Sequence, residues 1–269
     1  MTYELSHGEA LLMGAIEGLT EFLPVSSTGH LIITGDLIGF TGETAKTFEI
    51  AIQLGAILAI CWHYRARLLH VLYGLPSDPA ARRFALNLSI AFLPAAILGA
   101  LFHGAIKASL FHPVTVAVAL VVGGGLILLV ERLRGEPRVR SIDDLSWRDA
   151  LVVGCAQALA LVPGTSRSGA TIIGGLAFGL SRPVATEFSF FLAIPTMFAA
   201  TVFDLGASFG QLGRHDLEVL GLGFAMAFVS ALIAVRTLIG YVKDHSFRPF
   251  AYYRIVFGAI VFVYFLGRS

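Results

Sequence analysis

The sequence predicts an all-α integral membrane protein with six transmembrane helices and two re-entrant helical hairpins, arranged as an inverted repeat. Three observations lead to this fold class. Of the 269 residues, 56% are hydrophobic and only 14% are charged, against about 25% charged residues in soluble domains. Six apolar runs are long enough to span a bilayer, which takes roughly 17–25 residues. Two further apolar stretches are interrupted, and they repeat each other.

The six runs account for most of the chain. The run 114–130 contains no charged residue at all. A formal net charge of +1 gives no reason to expect a nucleic-acid partner. We therefore expect one membrane domain over 1–269. The predicted transmembrane helices lie near 47–63, 86–106, 113–131, 187–205, 217–236 and 250–267.

Two apolar stretches, at about 10–35 and 150–180, differ from the six spans because Pro, Gly, Ser and Thr residues interrupt them. Such clusters break a continuous helix. Backbone that is broken at membrane depth is stable only where protein or a water-filled cavity satisfies its hydrogen bonds. We therefore expect both stretches to form re-entrant helix–loop–helix hairpins instead of simple spans.

The two stretches belong to an internal repeat with a shift of 140 positions. Each half contains one hairpin followed by three spanning helices, over about 8–132 and 148–267. Since an odd number of spans reverses the direction of the second half, the repeat is predicted to be inverted. The matched pairs are Ser26 and Ser166, Gly29 and Gly169, Gly35 and Gly175, Gly39 and Gly179, Ala45 and Ala185, and Phe48 and Phe188, with Gly14-x-x-Glu17 aligned on Gly154-x-x-Gln157.

The distribution of basic residues predicts the orientation in the bilayer, because such residues concentrate in cytoplasmic links. The link after the first span and the links at 132–148 and 238–249 carry most of the arginine and lysine, and the intervening links carry little. Both termini are therefore predicted to lie outside the cytoplasm. The hairpins then enter from opposite sides, and their broken tips face each other near the membrane centre. We expect the functional site there.

Glu17 and Glu21 lie four residues apart in the first stretch, so a helix places them on one face. Two carboxylates in apolar surroundings repel each other, and a bound cation or a proton relieves the repulsion. Ionisable groups at this depth indicate a functional site. We expect a pair of metal ligands or an acid–base pair. The alternative is a hydrated helix mouth with two solvated carboxylates.

The string Ser26-Ser27-Thr28-Gly29-His30 follows and supplies hydroxyls and an imidazole. A serine beside a general base can act as a nucleophile, and a histidine can act as a nucleophile or a proton shuttle. The alternative is a loop whose hydroxyls cap a helix. Because buried charges adjoin the string, we expect Ser27 or His30 to attack the substrate, and Ser26 and Thr28 to bind it.

The second stretch contains the run Pro163–Thr171, which opens a helix after a Pro-Gly break. Free N–H groups at a helix start attract anions, and an arginine adds a fork that fits phosphate oxygens. We therefore expect Arg167 to be catalytic. The alternative is an ion pair between Arg167 and a glutamate that closes the two hairpins, and the two roles are compatible. The predicted substrate ligands here are Ser166, Ser168, Gly169 and Thr171.

Two motifs are complete in this chain, and they are Glu17-x-x-x-Glu21 with Pro24-Val-Ser-Ser-Thr-Gly-His30 behind it, and Pro163-Gly-x-Ser166-Arg167-Ser168-x-x-Thr171. In these motifs, and over its full length, the chain resembles the undecaprenyl-diphosphate phosphatase family of the bacitracin-resistance type. The resemblance implies hydrolysis of undecaprenyl diphosphate to undecaprenyl phosphate and phosphate, which recycles the lipid carrier of peptidoglycan synthesis. It also implies a bacterial inner-membrane protein whose active site opens to the periplasmic side.

The resemblance further implies a divalent cation, Mg²⁺ or Ca²⁺, bound by the two glutamates of the first motif. The expected partners are a polyprenyl diphosphate substrate and membrane lipid, and a homodimer is left open. The type 2 phosphatidic acid phosphatases share Ser-Arg fragments but need a histidine soon after them. No histidine occurs between His112 and His215, which excludes that family.

The alternative from another functional class is a transporter or flippase of an isoprenoid phosphate lipid. Inverted repeats with paired broken helices favour transport. The residues of the site favour the enzyme, because transport requires no Ser or His nucleophile beside two carboxylates. Phosphate release in detergent, where the two sides of a membrane do not exist, discriminates between them.

Overall fold

Eleven α-helices and two short 3₁₀ turns, Ile142–Asp144 and Leu159–Leu161, make up the described chain. The structure is a computed structural model that describes residues 5–110, 112–208 and 214–267. Within these ranges the only β-type pairing is one bridge between Val139 and Leu180. The helices are α1 (His7–Thr20), α2 (Ser27–Ile38), α3 (Glu43–His63), α4 (Arg65–Gly74), α5 (Pro79–Leu110), α6 (Pro113–Leu133), α7 (Trp147–Ala158), α8 (Arg167–Ala177), α9 (Arg182–Ser208), α10 (Arg214–Asp244) and α11 (Arg248–Leu266).

Six of these helices are long and apolar enough to cross a membrane, with a mean hydropathy between 1.4 and 2.5. They coincide with the six predicted spans, so the predicted all-α membrane fold is confirmed. The predicted and observed boundaries agree within five residues, except that α5 begins at Pro79 instead of near 86 and α10 ends at Asp244 instead of near 236. The candidate spans are Ala45–His63, Pro79–Phe102, Pro113–Leu133, Arg182–Thr201, Asp216–Asp244 and Arg248–Leu266.

The two interrupted stretches each contain a break between two helices. The first break, at 21–26, separates α1 from α2, and the second, at 159–166, separates α7 from α8. The two helices on either side of each break pack against each other, α1 on α2 and α7 on α8. These helix–loop–helix units are compatible with re-entrant hairpins, and the re-entrant placement itself stays a prediction.

The packing of the helices follows a two-fold pattern between the halves. Helix α1 packs along α10, and its repeat counterpart α7 packs along α5. Helix α3 likewise packs on α10, and its counterpart α9 packs on α5. Each hairpin therefore lies against the long helix of the opposite half, which supports an inverted repeat. The limits of the halves, about 8–132 and 148–267, stay a prediction.

One matched glycine pair explains how the hairpin helices come so close to those long helices. A Cβ atom on Gly14 would lie 2.3 Å from the Gly223 carbonyl oxygen, and one on Gly154 would lie 2.4 Å from the Ala91 carbonyl oxygen. Real Cβ contacts are longer than this, so a side chain at either position would separate the helices. The close approach also buries the polar residue three positions later, Glu17 in one half and Gln157 in the other.

A capping box and an ion pair fix the start of α7, which is outside the six candidate spans. Ser146 and Asp149 form a capping box, in which each side chain hydrogen-bonds the backbone N–H of the other. Arg138 pairs with the Asp149 carboxylate and donates to the Phe178 carbonyl oxygen at 3.1 Å. Burial raises the pKa of Asp149, but the hydrogen bonds from Arg138 and Ser146 outweigh burial and hold this pKa below its usual range.

Candidate active site

The two broken loops meet, and a buried serine joins them. Ser168, on the first turn of α8, lies with its Oγ 2.8 Å from the Leu23 carbonyl oxygen and 3.1 Å from the Glu21 carbonyl oxygen. Its hydroxyl therefore donates to backbone that the first break leaves without helical partners. The two loops contact each other as predicted, and their depth in the membrane stays a prediction. The role of Ser168 as a substrate ligand stays a prediction, because its hydroxyl is engaged with protein.

The residues that cap α2 and α8 have the same strained backbone conformation. Ser26 and Ser166 both have φ 71°, and they are the only non-glycine residues with positive φ in the described ranges. Each hydroxyl accepts the N–H three residues ahead, from Gly29 at 3.4 Å and from Gly169 at 3.1 Å. Positive φ at a non-glycine residue costs about 1–3 kcal/mol and occurs preferentially at functional sites. The shift of 140 positions thus relates two turns of matching geometry.

The carboxylate of Glu21 lies at the centre of the site. Ser27 Oγ donates to Glu21 Oε2 at 2.5 Å, and Arg167 Nη2 donates to Glu21 Oε1 at 3.2 Å. All three side chains are buried or nearly so. One carboxylate therefore receives the hydroxyl of the first motif and the guanidinium of the second. The ion pair that the sequence allowed as an alternative is present, and it brings a candidate nucleophile, a candidate base and a cation together.

Protein contacts hold Arg167 in place but leave some of its N–H donors unused. Its Nη1 donates to the Ser189 carbonyl oxygen at 2.9 Å, and its guanidinium carbon lies 5.7 Å from the centre of the Phe22 ring. Its Nε is buried and has no hydrogen-bond partner in the described part of the chain. A guanidinium carries five N–H donors in a rigid fork. The unused donors, including Nε–H, are available to an anion.

Thr171 supports this arginine from the next turn on the same face of α8. Its hydroxyl lies 2.9 Å from the Arg167 carbonyl oxygen and 2.6 Å from the Ser189 hydroxyl. Thr171 is fully buried, and its predicted contact with substrate is not tested by this arrangement. Sequence reasoning missed Ser189. It directly follows Phe188, the last matched residue of the repeat, so the repeat register was the signal that pointed to it.

His30 lies beside the site with both ring nitrogens occupied. Nδ1 is 2.7 Å from the Ser26 carbonyl oxygen, and Nε2 is 2.6 Å from the Tyr253 hydroxyl. A carbonyl only accepts, so Nδ1 carries a proton and, in the neutral ring, Nε2 accepts from the tyrosine. The ring also stacks on Phe257 with centroids 4.2 Å apart. Of the two candidate nucleophiles, only Ser27 contacts the carboxylate.

Glu17 and Thr28 complete the set of predicted residues. Thr28 is exposed on the first turn of α2. Glu17 is 1% exposed, on the turn of α1 that precedes Glu21. Among the described residues, no group of three or more His, Cys, Asp or Glu side chains could hold a metal ion. Two carboxylates with substrate phosphate are nevertheless a usual environment for Mg²⁺, so the cation at Glu17 and Glu21 stays a prediction.

The fold and the site define the class of this protein. It is an all-α integral membrane protein in which a buried Glu–Ser–Arg cluster forms where two broken helices meet. The family described as "Bacitracin resistance protein BacA" matches residues 10–260. The chain belongs to this family.

Curated relatives match nearly the whole chain. An undecaprenyl-diphosphatase of Nitrosomonas europaea is 60% identical over 253 residues, which cover 94% of this chain and 92% of the relative. Undecaprenyl-diphosphatases of Aromatoleum aromaticum and Methylococcus capsulatus are each 59% identical over 252 residues, with the same coverage. The family resemblance predicted from the two motifs is confirmed.

Proposed function

We propose that this chain is a membrane phosphatase that hydrolyses undecaprenyl diphosphate to undecaprenyl phosphate and inorganic phosphate. The observation that carries the proposal is the Glu21 carboxylate, which contacts the Ser27 hydroxyl and the Arg167 guanidinium at once. This cluster holds a nucleophile, a base and an anion-binding cation in a water-poor site. The relatives named undecaprenyl-diphosphatase support the same substrate.

Binding begins at Arg167. The diphosphate accepts hydrogen bonds from the donors that Arg167 does not use within the protein, while the Ser189 carbonyl oxygen and Glu21 hold the guanidinium in place. Preorganised donors in a site of low dielectric stabilise the charge of a phosphoryl-transfer transition state, and they need no reorganisation when the reaction occurs. The prenyl chain lies among the apolar outer faces of the spanning helices.

The Ser27 oxygen then attacks the terminal phosphorus. Its proton passes to the Glu21 carboxylate, to which the hydroxyl already donates at 2.5 Å. The bond from phosphorus to the bridging oxygen breaks, and undecaprenyl phosphate leaves with the proton that Glu21 took from Ser27. Water cleaves the resulting phosphoserine, which returns the Ser27 hydroxyl and releases phosphate. In this mechanism His30 orients the loop through the Ser26 carbonyl oxygen and does not attack the phosphorus.

The other predicted ligands divide into two groups. Ser26 and Ser166 shape the two turns, and Ser168 and Thr171 hold α8 against its neighbours. Of the predicted hydroxyl ligands, only Thr28 is exposed, and it contacts a phosphate oxygen directly. Gly169 lets the first turn of α8 come close to the opposing elements.

A divalent cation, Mg²⁺ or Ca²⁺, fits the remaining carboxylate. Glu17 is 1% exposed, and Glu21 lies one helical turn further on. These two residues would hold the cation, which would take its other ligands from phosphate and water and neutralise phosphate charge. Removal of the metal with EDTA should abolish turnover, and Mg²⁺ or Ca²⁺ should restore it. Full activity in EDTA would refute this part of the proposal.

The location follows from the same function. We place the chain in the bacterial inner membrane with the site open to the periplasmic side, which the distribution of basic links supports. Cysteine labelling of intact cells tests this orientation. A cysteine introduced near residue 140 should be protected from an impermeant reagent, and labelling there would reverse the assignment.

One assay separates the phosphatase from the transporter. Protein purified in detergent should release phosphate from undecaprenyl diphosphate, since hydrolysis needs no membrane and transport has no meaning without two sides. Ser27→Ala should be inactive in the same assay. A chain that moves the lipid across vesicles but releases no phosphate in detergent is a flippase.

A further inference from the structure

Arg254 on α11 is a buried charge that the mechanism above does not use and that sequence reasoning missed. It is 1% exposed and is the largest fully buried side chain in the described part of the protein. No carboxylate pairs with it there, and all of its hydrogen bonds go to backbone carbonyl oxygens. An unpaired buried cation is costly, so its retention requires a reason.

The carbonyl groups that Arg254 binds belong to both broken loops. Nη1 donates to the Pro24 carbonyl oxygen at 3.2 Å, and Nη2 donates to the Gly164 carbonyl oxygen at 3.1 Å. The same guanidinium reaches α6 through the carbonyl oxygens of Ala119, at 3.1 Å, and Leu120, at 3.3 Å. Loop carbonyls at membrane depth need donors from the protein. One guanidinium supplies them to both breaks and fixes their separation.

The two loops joined in this way carry the reacting groups. Pro24 precedes the capping residue of α2, on whose first turn Ser27 lies, and Gly164 precedes the capping residue of α8, which begins with Arg167. The guanidinium also touches that first turn, because a Cβ on Gly169 would lie 2.9 Å from Nη1. A shift of Arg254 therefore changes the distance between the nucleophile and the phosphate-binding arginine.

We propose that Arg254 is a positioning residue, whose fork holds the loops 21–26 and 159–166 in the register that brings Ser27, Glu21 and Arg167 together. This inference rests on the proposed phosphatase function. It assigns Arg254 no contact with substrate. Its effect is on kcat, because a misplacement of about 1 Å in a catalytic group can cost about a hundredfold in rate.

Helix α6 offers a way to displace the guanidinium without removing its charge. A Cβ on Gly123 would lie 2.2 Å from Arg254 Nη2 and 2.8 Å from its guanidinium carbon, and no backbone atom is among its nearest contacts. A Cβ on Gly125, two residues further along the same helix, would meet nothing within 4 Å. Gly123→Ala and Gly125→Ala are thus a matched pair with the same chemical change and equal effects on helix propensity.

The experiment measures kcat and KM for phosphate release in detergent, with thermal unfolding as the check on folding. Gly123→Ala should lower kcat by at least about tenfold with KM changed less than about threefold, and Gly125→Ala should leave both at wild-type values. Arg254→Lys keeps the charge but cannot bridge four carbonyls, so it should lose about a hundredfold in kcat. The double variant Gly123→Ala/Arg254→Lys should be no worse than Arg254→Lys alone, because both act through the same guanidinium.

Specific results would overturn this inference. Equal kcat for the two glycine variants, or an additive loss in the double variant, would mean that Arg254 does not position the site. A wild-type kcat in Arg254→Lys would mean that only the positive charge of this residue matters and that its fork does not position the loops. If Arg254→Lys does not fold, the glycine pair still decides. Failure of the proposed function is recognised separately, because the wild-type protein itself would then release no phosphate.

Discussion

Replacing Glu21 by glutamine tests the centre of the site with the least change in shape. Glu21 accepts from Ser27 at 2.5 Å and from Arg167 at 3.2 Å through different oxygens. Glutamine keeps one carbonyl oxygen but replaces the other with an NH₂ group, which cannot accept. It also loses the charge that takes the serine proton. The substitution therefore removes the base and unpairs the arginine, while the volume is kept.

The size of the effect follows from these two losses. General-base catalysis contributes about 10²–10⁴-fold in rate, so kcat should fall by that factor, which corresponds to about 2.7–5.4 kcal/mol in the barrier. The KM should not rise, because Arg167 without its carboxylate is a stronger site for phosphate. A hydrogen bond to a charged group contributes about 1.5–3 kcal/mol to stability. At 10% exposure of the arginine side chain, solvent screens little of this, and the free energy of unfolding should drop by a similar amount.

The assay is phosphate release in detergent over a range of substrate concentrations, beside thermal unfolding of the same preparation. Glu9→Gln is the control, since Glu9 is on the same helix but in its capping box, where glutamine serves as well. It should retain wild-type kcat. Glu21 is not the catalytic base if Glu21→Gln keeps kcat within about threefold of wild type, or if its whole defect lies in KM.

Three further predictions concern the surroundings of the site. Tyr253→Phe removes the partner of His30 Nε2 and should lower kcat by about tenfold or less, the value of one hydrogen bond; a loss near a thousandfold would mean that this histidine reacts directly. Asp149, whose pKa is depressed, stabilises the fold above about pH 4, and this contribution is lost as the pH falls through the folded-state pKa. Asp149→Asn should remove that pH dependence of the unfolding temperature and cost about 1–3 kcal/mol, and an unchanged pH profile would contradict the assignment. Gly14→Ala should destabilise the protein by about 1–3 kcal/mol, because its Cβ meets a backbone oxygen at 2.3 Å, whereas Gly8→Ala meets nothing within 4 Å and should unfold like wild type.

The sequence was sufficient for the spans and for the meeting of the two motifs. Spans follow from hydropathy alone, because a helix in lipid must satisfy its backbone within itself. The contact between Glu21 and Arg167, which are 146 residues apart, could be expected because the repeat places two broken loops in equivalent positions. Buried charges of opposite sign at those loops then have few partners other than each other.

The partners of individual hydroxyls could not be predicted. Ser27 and Ser168 are of one residue type in similar surroundings, yet one donates to a carboxylate and the other to backbone carbonyl oxygens. The acceptor that each hydroxyl meets depends on the packing around it, and no sequence pattern records it. Arg254 was missed for another reason. It lies near the start of α11, where an arginine usually extends to the membrane surface, and its acceptors are backbone groups that carry no side-chain signature.

The role of Ser27 as the nucleophile is tested most sharply by the turnover number of Ser27→Ala in detergent with undecaprenyl diphosphate. We expect a loss of at least about a thousandfold in kcat with the protein still folded, because the attacking oxygen is gone and only the binding groups remain. Under rapid quench with substrate labelled at the terminal phosphate, wild-type protein should carry the label on Ser27. Turnover of Ser27→Ala above about a tenth of wild type, or label on His30, would show that Ser27 is not the nucleophile.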